Sequence, residues 1–286
     1  MVEEADLKQW RDAGHVARRT IEGIKGEITA GKSWSEVIDS AERFIRRHGG
    51  NAAFPVTISV NEMAAHYPTT TELKPPEGFE GEMIFQKGDL VKLDVGVHIK
   101  GAIADNALTV EVGGGGNYTE QIRAAEEARD AAIEKMHPGT PWHEIGAAAE
   151  QVHKDAGFEP IRNLCGHELT RWNLHAGTSI PAHACGADNP GFKGGVQLGS
   201  IYAVEPFNTT GKSGLIKNRG QSNSSNIYDS RTLKNRSGIS LLNKIRTSPG
   251  IIIQGNDDHI SFLKVWFEAP APARKTYFSF PMKRNA

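Results

Sequence analysis

Lys87-Gly88-Asp89-Leu90-Val91-Lys92-Leu93-Asp94-Val95-Gly96-Val97-His98-Ile99-Lys100-Gly101-Ala102-Ile103-Ala104-Asp105-Asn106 is the stretch on which the fold turns. Val91, Leu93, Val95 and Val97 alternate with Lys92, Asp94, Gly96 and His98, the period of a half-buried β-strand. A turn at Ile99-Lys100-Gly101 sends the chain back as a second strand, with Gly101 free to take the angles a turn needs. If residues 99 and 100 form the loop, Asp94 stands opposite Asp105, with Cβ atoms roughly 5 Å apart. Facing like charges are destabilising, and a shared cation is the economical compensation.

Working outward, the rest of the 286-residue chain reads as a soluble globular protein with a sizeable core. Apolar residues make up 38% and charged residues 23%, too apolar for disorder. A net charge of −1 gives no electrostatic case for nucleic acid or membrane partners. Two cysteines, Cys165 and Cys185, are too few for a disulfide framework and fit a reducing cytoplasm. The acidic start, Met1-Val2-Glu3-Glu4, has no signal-peptide core, and no run approaches the ~18 apolar residues of a membrane span.

Upstream, Leu7, Trp10, Ala13, Val16, Ala17, Ile21 and Ile24 predict an amphipathic helix over 5–29. Ser33-Trp34-Ser35-Glu36 has capping-box spacing and predicts a second helix to about Arg47, closed by Gly49-Gly50. Residues 54–60 predict a short strand, and 67–80 a polar loop. Downstream, residues 118–136 predict a third helix, broken by Pro138-Gly139. Thr140-Pro141 opens a fourth as N-cap and first-turn proline, reaching about Lys154 and ending at Gly157. Residues 160–167 form a strand or loop, and 199–207 a strand with a carboxylate at its end. Residues 209–238 read as insertion or loop, 240–246 as a short helix, 251–253 and 260–266 as strands, and 269–286 as an irregular tail.

An internal repeat emerges. Trp34-Ser35-Glu36-Val37 matches Trp142-His143-Glu144-Ile145, 108 residues later, and Gly49 matches Gly157 at the same offset. Each match follows a long helix and precedes strands. Two halves of about 110 residues thus suggest a duplicated, pseudo-twofold fold. At nearly the same offset, His66 falls beside His175.

Asp94, Asp105, His167 and Glu205 each sit on or beside an expected strand. Three carboxylates and an imidazole suit a hard or borderline divalent ion. Each also has an ordinary explanation: a surface strand carboxylate, a turn cap, a lysine's partner. His98 and His143 read as solvated.

As a set, Asp94 and Asp105 eleven apart, Gly166-His167, His175-Ala176-Gly177 and Val204-Glu205-Pro206-Phe207 resemble the type II methionine aminopeptidases, especially the short archaeal kind, over residues 5 to about 210. The resemblance implies a single α/β (α+β) domain with the duplicated pita-bread fold, an antiparallel sheet backed by two pairs of helices. Its halves would cover about 5–112 and 113–208, with an insert at about 209–247 and an atypical tail at 248–286. It also implies two divalent ions (Co, Mn, Fe or Zn) held by Asp94, Asp105, His167 and Glu205, Asp105 bridging. His66 and His175 would line the substrate site, His175 stabilising the intermediate. The implied activity is removal of initiator methionine by a metal-bridging hydroxide. A cytoplasmic monomer meeting nascent chains, with contact to the ribosome, is the setting it implies.

The family's fifth ligand is a late glutamate in a strand reading Phe-Glu-His followed by Thr. The nearest match is Trp266-Phe267-Glu268, followed by Ala269-Pro270, where an ordinary glutamate before a proline-rich tail is the favoured reading of Glu268. From about Ser248 the resemblance ends, and loss of a central sheet strand is expected. Two further readings share the fold: a non-enzymatic binding module lacking the fifth ligand, and a proline-specific aminopeptidase or dipeptidase.

Overall fold

The computed structural model describes residues 4–66, 83–225, 248–255, 260–262 and 265–268. The chain opens with helices α1 (Glu4–Ile24) and α2 (Trp34–Arg47). Strands β1 (Asn51–Ala52), β2 (Thr57–Val60), β3 (Met63–Ala65), β4 (Leu90–Ile99) and β5 (Ala102–Glu111) follow. Next come helices α3 (Thr119–Lys135) and α4 (Trp142–Asp155), then β6 (Glu159–Pro160), β7 (Cys165–Leu169), β8 (Ser179–Pro181), β9 (Ile201–Val204) and β10 (Phe207–Thr209). The last strands are β11 (Ile216–Ser225), β12 (Ser248–Gly255), β13 (Ile260–Phe262) and β14 (Val265–Glu268).

The expected hairpin is the spine of the first half. β4 pairs antiparallel with β5 along one edge, and with β1 and β2 in succession along the other. The helix-facing side chains Val91, Leu93, Val95 and Val97 pack with Ala13, Ala17, Val37, Ala41 and Ile45 of α1 and α2 in one buried cluster. Each such aliphatic burial is worth roughly 1.5–3 kcal/mol. The start of α2 is fixed by its capping residue: the Ser33 backbone N–H donates to Glu36 Oε2 at 3.2 Å. Its end is set by Gly49, in the left-handed region at φ 83°.

Two details of the hairpin correct the sequence reading. The strand is not half-buried: from Leu90 to Val97 both faces are covered, because the second half of the chain lies over the side away from the helices. The turn is Lys100-Gly101 rather than 99–100. Both residues take positive φ, 51° and 86°, as the two-residue turn that suits strand twist requires. Ile99 therefore pairs with Ala102, Asp94 with Ala107, and Asp105 with Gly96. The two aspartates are diagonal neighbours, not directly opposed. A slip of two residues keeps both on the same face, so only their spacing changes.

The duplication is visible in the backbone hydrogen bonds. Gly31 N–H donates to Phe85 O at 2.8 Å, Phe85 N–H to Lys32 O at 3.0 Å and Trp34 N–H to Met83 O at 2.9 Å. In the second half Gly139 N–H donates to Val196 O at 2.8 Å, Val196 N–H to Thr140 O at 3.0 Å and Trp142 N–H to Gly194 O at 3.3 Å. Trp34 stacks on Phe85, and Trp142 meets Tyr202 edge-on. The fourth helix accordingly starts at Trp142, as its repeat partner starts at Trp34. Pro141, extended at ψ 144°, is the cap in place of Thr140.

In the second half α3 and α4 pack through Ala128, Ala132 and Ala149, small residues that allow close approach, together with Trp142, Ile145 and Met136. β9 lies between β7 and β14, with β8 beyond β7, and β10 lies between β6 and β13. Residues 199–207 are two strands, broken at Glu205-Pro206.

The C-terminal strands change the expected outline. The Gly- and Ser-rich run read as a loop contains β11, which pairs with β12, and β12 pairs in turn with β3. Residues 260–266 divide between β13 and β14. β14 runs beside β9, so the sheet keeps a strand there despite the unfamiliar sequence. The expected loop at 67–80, helix at 240–246 and tail at 269–286 lie outside the described residues. Among the described residues no helix is long and apolar enough to cross a membrane, and Cys165 and Cys185 are both free thiols.

Candidate metal centre

Three of the four expected ligands converge. Asp105 comes from β5, His167 from β7, and Glu205 from the break just after β9. One donor atom from each lies within 4.8 Å of the others, and all three residues are buried. His167 Nε2 is 2.9 Å from Glu205 Oε1 and 3.3 Å from Asp105 Oδ2. Strand register explains the convergence. His167 pairs with Ala203, two residues before Glu205, so both side chains leave the same face. Gly166 allows β7 and β9 to approach so closely, since a Cβ there would overlap the Ala203 carbonyl.

Burial alone would push the His167 imidazole down, but the adjoining Asp105 and Glu205 carboxylates outweigh it and raise the pKa to about 9. The cluster thus attracts positive charge strongly. Two carboxylates and one imidazole nitrogen, buried and within mutual reach, form a donor set that fits a borderline divalent cation.

Asp94 is buried on the same face of the hairpin, one diagonal position from Asp105, and is not among the three converged residues. His175 is exposed beside the cluster, its ring centroid 4.3 Å from that of His167 and tilted 65°. His66 stands at the end of β3 with positive φ, 61°. Ala64 and Ala65 of β3 pack with Ala107 and Phe207, each two residues from a cluster carboxylate. Glu268 ends β14, in register with Ile201 of β9.

The loop carrying His175 is held by Glu168, Thr178, Arg171 and Trp172, residues that the sequence reading did not single out. Ala176 N–H donates to Glu168 O at 2.9 Å, Glu168 N–H to Thr178 O at 2.9 Å, and Thr178 Oγ1 to Glu168 Oε2 at 2.6 Å. Arg171 and Trp172 reach the hairpin tip of the other half, where Trp172 N–H donates to Gly101 O at 2.8 Å. His98, expected in solvent, lies instead against the Trp172 ring with centroids 4.9 Å apart. Contacts between residues some 70 positions apart leave no local periodicity or spacing to read.

A sequence profile of metallopeptidase family M24 matches residues 8–243. With this match and a buried carboxylate–imidazole centre, the chain belongs to metallopeptidase family M24. Its relatives there include methionine aminopeptidases. The one from Archaeoglobus fulgidus is 33% identical over 90% of this chain and 80% of its own length. That of Pyrococcus horikoshii is 38% identical over 74% of this chain and 67% of its own. For Thermococcus onnurineus the figures are 39%, 72% and 65%, so the match spans about two thirds of these last two relatives. Among solved structures, methionine aminopeptidase from Thermotoga maritima superimposes with a TM-score of 0.72 at 19% identity, covering 94% of this chain and 95% of that one. A prolidase from Pyrococcus furiosus gives 0.57 at 22% identity, over 72% and 56%. At such identities the likeness shows the fold, the duplicated pita-bread architecture.

Proposed function

We propose that this chain is a cytoplasmic methionine aminopeptidase of the type II archaeal kind, releasing the initiator methionine from nascent chains. The observation that carries the reading is the buried Asp105–His167–Glu205 group with exposed His175 at its edge. The similarity to archaeal methionine aminopeptidases over most of the chain supports the substrate. Asp105, His167 and Glu205 would hold a divalent ion, and Asp94, on the same face of the hairpin, would contribute to a second. Cobalt, manganese, iron and zinc all suit these donors. Bound there, such ions would supply Lewis acidity and lower the pKa of water to roughly 7.

The chain's own residues do the rest. His175, beside His167 and open to solvent, donates a hydrogen bond to the carbonyl oxygen of the scissile bond as negative charge develops on it. His66 lines the substrate side of the site.

The decisive measurement is hydrolysis of Met-Ala and Met-Gly peptides by purified protein with added metal. Cleavage is expected, with loss after chelation and recovery on adding metal back. Asp105→Ala is expected to lower activity by more than the roughly 10–100-fold that loss of a residue supporting a metal ligand costs. A folded, metal-loaded protein inert on both peptides would overturn the reading, and cleavage of X-Pro peptides alone would favour proline specificity. Metal stoichiometry of Glu268→Gln decides the fifth position. Loss of one equivalent makes Glu268 a ligand, and unchanged stoichiometry makes it the ordinary glutamate that Ala269-Pro270 suggests.

A further inference from the structure

We propose that Arg171 and Trp172 are positioning residues for His175: they dock its loop onto the hairpin tip of the opposite half and so aim the imidazole at the metal centre. The inference rests on the reading that His175 acts on the substrate. The loop between β7 and β8 is tied at two places. Its far end is tied to β7 by the Glu168–Thr178 and Glu168–Ala176 hydrogen bonds. Its near end is closed into a two-residue turn by Thr170 and Asn173, which exchange backbone hydrogen bonds of 3.0 and 2.9 Å. His175 lies between the ties.

The near tie stands on the other half of the molecule. The Trp172 indole fills the space where a Cβ on Gly101 would project, and it meets the His98 ring at 56°. Arg171 donates to Lys100 O, to Gln9 Oε1 at 3.0 Å and to Asp6 Oδ1 at 3.1 Å, gripping both the hairpin turn and the start of α1. Neither local preference nor burial accounts for this arrangement. Trp172 takes φ 62°, a region that bulky residues avoid, and the residue remains 37% exposed. Such conformations persist where surrounding contacts over-determine them, and they cluster at functional sites. The Arg171–Asp6 ion pair is partly exposed on both sides, so it adds little stability. What the dock does supply is a fixed origin for a loop with one catalytic side chain at its middle.

Trp172→Gly tests this cleanly, because glycine accepts φ 62° without strain while removing the ring. Trp172→Tyr keeps an aromatic ring, and Arg171→Gln removes the grip on Asp6. With Met-Ala peptide and metal, Trp172→Gly is expected to lower kcat about 10–100-fold, the cost of misplacing a group by an ångström or so. KM should stay within about twofold, as expected for an interaction felt in the transition state. The thermal midpoint should move by no more than about 4 °C. Trp172→Tyr should recover most of kcat, and Arg171→Gln should fall between. Independently of turnover, side-chain NMR should show the His175 ring resonances broadened or shifted in Trp172→Gly while those of His153 stay put.

Unchanged kcat with unmoved His175 resonances overturns the proposal. So does a loss that follows the folded fraction and is not rescued by tyrosine. Should Trp172→Gly not fold, Arg171→Gln is judged by the same two readouts. If wild-type protein cleaves no methionyl peptide, the enzymatic reading fails, and the His175 resonances still decide whether the dock positions the ring.

Discussion

Gly166 shows how much of the metal centre hangs on one missing side chain. His167 can reach both Asp105 and Glu205 only because β7 runs close against β9, and the atom that a Cβ at Gly166 would strike is the backbone oxygen of Ala203. A flexible side chain could yield, but a carbonyl within a paired strand cannot without parting the strands. Gly166→Ala is therefore expected to cost about 1–3 kcal/mol, the usual range for overpacking, and to weaken metal binding as His167 is pushed from the carboxylates. Urea denaturation and metal titration of the same variant check the two effects. A stable variant with normal metal affinity would mean that β7 can shift freely. The sequence made Gly166-His167 legible as a pair, but not the reason for the glycine, which lies in a strand 37 residues further along.

At the scale of elements, the two helix pairs are equivalent in frame and unequal in content. The bond from Gly50 N–H to Ile45 O closes α2, and the matching bond from Phe158 N–H to His153 O closes α4. The apolar position at Ile45 is thus a histidine in the second copy, fully buried, with neither ring nitrogen hydrogen-bonded. Burial holds its pKa down to about 4, with the Glu150 charge only partly offsetting. The folded state thus keeps His153 neutral while the unfolded chain protonates it near 6.5. Its contribution is present above pH 6.5 and is lost as pH falls from there to about 4, because the unfolded state binds more protons in that window. His153→Ile should raise stability below pH 6.5, by on the order of 2–3 kcal/mol near pH 4, and flatten the acid limb of a denaturation series. Unchanged pH dependence would show that His153 reaches water. The hairpin teaches a related lesson about what a sequence discloses. Alternation placed β4 and β5 correctly and put Asp94 and Asp105 on one face, while the turn was misplaced because Lys100 at φ 51° carries no local mark of a left-handed residue. Parity survived the error, so the face was legible and the register was not.

For the whole molecule, the C-terminal strands decide whether this is a complete sheet or an open one. The resemblance read from the sequence stops near Ser248 because that reading rests on particular side chains, whereas strand pairing needs only backbone N–H and C=O groups in register. Isoleucines at 251–253 marked a strand without naming its partner, and the Gly- and Ser-rich β11 opposite it looked like a loop. The structure supplies the partners: β12 joins β3, β13 joins β10, and β14 joins β9, the strand that leads into Glu205. These segments therefore cap three edges, one of them next to the metal centre. A chain ending at residue 247 would leave β3, β9 and β10 with unpaired edges, which template aggregation. It is expected to be largely insoluble, or to unfold at a clearly lower temperature than the full chain. In any soluble fraction metal affinity should be reduced, since β9 would lose the neighbour that holds Glu205's approach to the cluster. The comparison needs only soluble yield, a thermal melt and a metal titration on the two chain lengths. A 1–247 chain that matched the full chain in all three would show that β9 holds Glu205 without β14, and that the first two hundred or so residues build the site alone.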